Sequence, residues 1–134
     1  MIHWMITYDK AEFDIYKCLE EIGTTDWPQL KNKFEVGDIV YMYCSKPVMR
    51  ITHKLRIVRI NIPKEEKNDE SAYLSPNYVD KGAPYIRLEP ISAKKSYLLN
   101  RSELLKNGFN QYAGRGRQKI EGELLDYIEG VYNR

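Results

Sequence analysis

The chain has 134 residues, 43% apolar and 30% charged, with a formal net charge of +2. That is the length of a single domain, residues 1–134, and no apolar run approaches the ~18 residues of a membrane span. Two cysteines, Cys18 and Cys44, are too few for a disulfide scaffold or a four-thiolate metal site, and both read as reduced packing residues.

His3 to Thr7 is β-prone, with Trp4 and Ile6 on one face. Asp9 and Glu12 stand at capping-box spacing, and Phe13, Tyr16, Leu19 and Ile22 recur at helical intervals up to Gly23. This predicts a helix from Lys10 to Ile22. Thr24 to Lys33 holds Trp27, Pro28 and Leu30 among polar residues and reads as a loop with one short helical turn. Gly37-Asp38 is a turn signal, after which Ile39 to Cys44 alternates as a strand packed on both faces does.

Pro47 interrupts that pattern, and Ile51 to Ile62 resumes it. The apolar parity slips near Val58, which predicts a bulge or strong bend. Pro63 to Gly82 is polar and acidic and reads as a surface loop. Tyr85 to Glu89 is a further strand, closed by Pro90. Asn100 and Glu103 predict a short helix to Lys106, stopped by Gly108. Ala113 to Lys119 reads as a basic loop, and Ile120 to Tyr132 as a final helix using Ile120, Leu124, Leu125, Ile128 and Val131.

The charge distribution says more than the net charge. From Ile39 to Lys64 there is no acid, but there are Lys46, Arg50, Lys54, Arg56, Arg59 and Lys64; from Leu104 to Ile120 there are Lys106, Arg115, Arg117 and Lys119. If the two tracts meet in space, they form a positive face suited to a polyanion; otherwise they are two solvated surfaces. Catalytic and metal-ligating patterns are missing. There is no zinc spacing, GxSxG elbow, P-loop or HxxxH pair; His3 and His53 lie far apart, and Glu20-Glu21 and Glu65-Glu66 sit in charged runs. Neither a cofactor nor a metal is expected.

Eleven tyrosines and two tryptophans are a rich aromatic supply for a small core. Tyr41, Tyr85, Tyr97 and Tyr127 fit packing or strand positions. Trp27 differs, because it lies in the polar segment TTDWPQL, where an indole either plugs the end of a barrel or serves as a stacking platform. Ser45-Lys46-Pro47 is either a plain turn or a corner offering a hydroxyl, a free backbone amide and a cation to a base edge and its phosphate. In AGRGRQK, glycines allow close backbone approach to a phosphate while Arg115 and Arg117 supply charge.

The order of an early strand with Trp4, a helix, TTDW, GDIVYMYCSKP, a long strand and a late LLKNGF…GRGRQKIEGELLDYI segment resembles the EVE-type domains of the PUA-like superfamily. It is especially similar to versions attached to bacterial HNH-type restriction nucleases. The resemblance implies an α+β fold, a PUA-like mixed β pseudo-barrel with flanking helices, whose pocket is related to those of YTH- and SRA-type readers and takes in a flipped, often modified base. Carried over residue by residue, Trp27 matches the pocket-side tryptophan, and Ser45, Lys46 and Pro47 match the corner after the second strand. Arg115 and Arg117 match a basic segment that often reads Gly-Pro-Arg, with Gly116 here in place of the proline.

The expectation is a non-catalytic nucleic-acid-binding domain, a reader of a modified base in DNA or RNA. Its base pocket would be formed by Trp27, Tyr43, Ser45, Lys46 and Pro47, and its phosphate contacts by Arg50, Lys54, Arg115, Arg117 and Lys119. Any cleavage would belong to a separate nuclease partner or be absent. The alternatives are a small-molecule or nucleoside-binding module and an ASCH-like enzyme acting on RNA. With no secretory signal in MIHWMITYDKAEF and no membrane span, the expected location is the cytoplasm.

Overall fold

The computed structural model describes residues 1–110 and 116–134. Six strands form one mixed sheet: β1 (His3–Tyr8), β2 (Thr25–Pro28), β3 (Ile39–Cys44), β4 (Arg50–Ile62), β5 (Tyr85–Ala93) and β6 (Arg117–Ile120). Their order is β2-β5-β4-β3-β1-β6, parallel between β1 and β3 and antiparallel elsewhere. Three helices flank the sheet: α1 (Ile15–Glu21), α2 (Arg101–Lys106) and α3 (Gly122–Tyr132). Among the described residues, no helix is long and apolar enough to cross a membrane.

Alternation along β1 and β3 divides the core between the two faces of the sheet. Trp4, Ile6 and Tyr8 join Val40, Met42 and Cys44 in a cluster with Ile15 and Cys18 of α1. Met5 joins Ile39, Tyr41 and Tyr43 in a second cluster with Leu104 of α2 and Leu124, Ile128 and Val131 of α3. β3 is therefore buried along its whole length, as its two-faced apolar pattern requires. Buried Asp38 fixes its start, accepting from the Ile2 amide (3.0 Å), the Trp4 indole (3.0 Å) and the Glu35 amide (3.1 Å).

The expected bend in the long strand is present. The β4–β5 register shifts between Ile57 and Arg59 and again between Arg59 and Ile62, with Asn61 at φ 55°. Other expectations need correction. The helix begins at Ile15, not Lys10, because Asp9 instead makes a tight turn: its carbonyl accepts the Glu12 and Phe13 amides, and Phe13 bridges to Leu74. Asp14 caps the helix through Lys17, 3.1 Å away.

Thr25–Pro28 is an edge strand rather than a loop, paired with a strand some sixty positions later that no local pattern reveals. β5 runs past Pro90 to Ala93 because a register shift accommodates the proline. Arg117–Ile120 is a strand on β1, so Ile120 ends a strand and the last helix starts at Gly122.

Candidate functional site

Arg117 donates a hydrogen bond from Nη1 to the backbone carbonyl of Pro28. β2 and β6 are the two outer strands, so this contact spans the seam where the curled sheet approaches itself. A cavity of about 440 Å³ opens at the seam, within the roughly 300–1,000 Å³ usual for small-ligand sites. Its floor and walls come from the end of β1 (Ile6, Thr7, Tyr8), the following turn (Asp9, Glu12, Phe13), β2 (Trp27, Pro28), Ser45, Gly116 and Arg117. Leu30 and the segment carrying Asn77, Tyr78, Val79 and Lys81 complete its lining.

The two tryptophans have different surroundings. Trp4 is buried, with its indole N–H on Asp38 and its ring edge-on to Phe34 at 4.6 Å. Trp27 is only partly buried, lines the cavity and packs edge-on to Phe13 at 5.5 Å, while its indole N–H is shielded from solvent and has no hydrogen-bond partner among the described residues.

What holds Trp27 is a network around the preceding residue. The Asp26 carboxylate takes two hydrogen bonds from Arg87, both 2.9 Å, and a third from the Asn68 amide at 2.7 Å. Buried Glu70 accepts from the Asp26 amide (2.6 Å) and the Thr25 hydroxyl (2.8 Å). Burial pushes the Glu70 carboxyl up from its ordinary range, against the pull of those two donors. The segment from Pro63 to Gly82, expected as a plain surface loop, is thus clamped to β2 at Asn68 and Glu70 and then lines the cavity.

Arg117 is mostly buried, with its guanidinium 6.0 Å from the Phe34 ring centroid. Burial draws its pKa down from the ordinary value, while nearby Tyr78 acts in the opposite sense. Burial also pushes the Tyr78 phenol up. Neither histidine lines the cavity. His53 lies buried in a chain of contacts, Tyr8 Oη to Thr52 Oγ1 and Thr52 Oγ1 to His53 Nδ1, each 2.7 Å, and burial pushes it down to about 4. Among the described residues, no three His, Cys, Asp or Glu side chains are grouped to hold a metal.

The structure brings Trp27, Ser45 and Arg117 together but disperses other candidates. Lys46 and Pro47 are exposed on the corner, outside the lining. The Ser45 amide is not free, because it donates to the Tyr8 carbonyl at 2.9 Å. Tyr43 lies on the opposite face of β3, 6.2 Å from Phe109 between ring centroids. Arg50 is half-buried at the start of β4, Lys119 lies 5.7 Å over the Trp4 ring, and Arg115 falls outside the described residues.

Half of the first basic tract is paired with acids from elsewhere in the chain. Lys54 binds Glu129 at 2.9 Å, Arg56 binds Glu89 at 3.2 Å and Arg59 binds Glu66 at 2.6 Å. Absence of acids along a strand does not mean absence beside it, because β5 and α3 supply them across the fold. Sequence reasoning also missed Asp9, Phe13, Asn77 and Tyr78 as lining residues. For the last two the local signal is Pro76 followed by Asn77, a pair that marks a turn.

No protein-family model matches the chain, and no curated protein matches it. Its likenesses are to solved structures. Human THYN1 protein, solved in complex with 5-methylcytosine-containing DNA, superposes with a TM-score of 0.69 at 16% identity, covering 100% of this chain and 99% of that one. A hypothetical protein from Leishmania major gives 0.67 at 18% identity, covering 99% and 95%. ASCH from Zymomonas mobilis gives 0.60 at 12% identity, covering 96% and 94%. At these identities the likeness establishes the fold: an α+β, PUA-like mixed β pseudo-barrel with flanking helices.

Proposed function

We propose that the chain is a non-catalytic nucleic-acid-binding domain that takes a flipped, modified base into the cavity beside Trp27. The observation that carries this reading is the convergence of Trp27, Ser45 and Arg117 on one cavity from three distant segments. The shared fold with human THYN1, itself solved with 5-methylcytosine-containing DNA, supports it.

The chemistry of the cavity suits a base. The partly exposed Trp27 ring, which lines the cavity, offers stacking of ~1–3 kcal/mol, which offsets much of the few kcal/mol needed to extract a base from a duplex. The Ser45 hydroxyl, the Asn77 amide and the Asp9 carboxylate supply donors and acceptors for a base edge, and Arg117 brings positive charge. A methyl group in an apolar niche adds about 0.8 kcal/mol, a several-fold preference.

Gel shifts with modified and unmodified oligonucleotides across a salt series test the proposal. Binding should weaken as salt rises and fall about five- to 150-fold in Trp27→Ala, the equivalent of the stacking energy. Binding indifferent to both would refute it.

A further inference from the structure

The cavity mouth carries two apolar side chains that the pocket itself does not bury. Leu30 is 41% exposed and Val79 is 75% exposed, yet both line the cavity, one from the turn after β2 and the other from the clamped segment. Leu30 also has a backbone φ of 54°, the left-handed region that a residue with a branched side chain enters only at a cost. At 41% exposure, Leu30 still leaves a substantial part of its apolar surface unburied within the chain.

The neighbouring residue holds the turn rigid. The Gln29 amide donates to the Pro84 carbonyl at 2.8 Å, and its side chain exchanges two hydrogen bonds with Asn61, donating to Oδ1 at 3.1 Å and accepting from the amide at 2.9 Å. The Gln29 carbonyl in turn accepts from Asn32 Nδ2 at 3.2 Å. Leu30 is therefore presented on a braced turn. Cations accompany both lips: exposed Lys31 follows Leu30, and Lys81 lines the cavity two residues after Val79.

We propose that Leu30 is a wedge that enters a nucleic-acid duplex and fills the space vacated by the flipped base, with Val79 covering the other lip. The inference rests on the base-binding reading above and adds to it the residue that distinguishes paired from unpaired targets. A base leaving a duplex opens a slot bounded by the faces of its former neighbours. An aliphatic side chain beside the receiving cavity fits that slot, as apolar wedges do in proteins that unstack base steps. Lys31 and Lys81 carry the charge needed to meet the flanking phosphates. The occupant is thus an anionic polymer with an apolar interior.

Fluorescence anisotropy of Leu30→Asn against one modified oligonucleotide, presented single-stranded and fully paired, tests this. Asparagine tolerates the left-handed backbone and removes the apolar surface. The variant should bind the paired target about tenfold more weakly than the wild type, the loss expected for one buried leucine, and lose markedly less on the single strand, which meets Leu30 only as part of the cavity lining. A circular-dichroism spectrum and urea midpoint matching the wild type report that the variant is folded. Equal loss on both targets, no loss on either, or a wild type that binds only the single strand would overturn the wedge and leave the base reading standing. A wild type that binds neither target would overturn both, whereas Trp27→Ala should lose both targets alike.

Discussion

Arg117 and Pro28 join the two free edges of the sheet, the guanidinium of one donating to the backbone carbonyl of the other across 89 positions of sequence. The same contact places a cation at the mouth of the cavity and fixes the carbonyl next to Trp27. Closure of the barrel and assembly of the site are therefore one event.

Removing that cation should open the seam. Arg117→Ala loses a charge-assisted hydrogen bond, so stability should fall by about 1.5–3 kcal/mol and nucleic-acid affinity should fall with it. Urea denaturation measures the first effect and anisotropy the second. Arg117→Lys should recover charge but not the forked geometry, leaving a partial deficit in both.

Glu70 should matter to binding although it touches no ligand. Glu70→Ala leaves the Thr25 hydroxyl and Asp26 amide without their acceptor, which costs roughly 1–3 kcal/mol for each buried group and frees the wall carrying Asn77 and Tyr78. Hydrogen exchange should show faster exchange at Asp26 and at Asn68 to Tyr73, and affinity should drop without any change in the salt dependence.

Much of the fold was legible because β3, the bulged β4 and α3 carry their patterns locally. β2 was not, since four residues ending in a proline have no periodicity and become a strand only through Ile86 and Leu88 on β5. The site divided the same way. Trp27 stood out as an indole in polar surroundings, Ser45 as a corner hydroxyl and Arg117 as a cation in a glycine-rich loop, and the family resemblance then linked the three. The clamp at Glu70 looked like one more acid in a charged run, because its meaning comes from burial. Lys54 misled for the opposite reason, its partner Glu129 lying 75 positions away.

Lys54 gives a direct contrast between structural and ligand-facing charge. Burial opposes ionisation of Glu129, but the Lys54 and Tyr41 hydrogen bonds bring its carboxyl below the usual range, so the carboxylate is committed to Lys54. Lys54→Met should lower stability by about 1 kcal/mol and leave the salt dependence of binding unchanged. Lys81→Ala should leave stability intact and reduce the salt slope by about one unit.

His53 should make the fold acid-sensitive. Its pKa is about 4 in the folded chain against an ordinary 6.5, so the unfolded chain binds the extra proton between those values. Stability from this group is complete above pH 6.5 and declines as pH falls toward 4, by up to about 3 kcal/mol. Urea midpoints of the wild type and His53→Gln between pH 7 and 4.5 check this, and the variant should show the shallower decline.

The central claim, that a base stacks on Trp27, is tested most directly by the emission of that indole. In Trp4→Phe, Trp27 is the sole tryptophan, and titration with an oligonucleotide containing 5-methylcytosine can be followed by fluorescence and anisotropy together. Quenching of Trp27 should saturate in step with binding. Binding by anisotropy with Trp27 emission unchanged would show that no base stacks there.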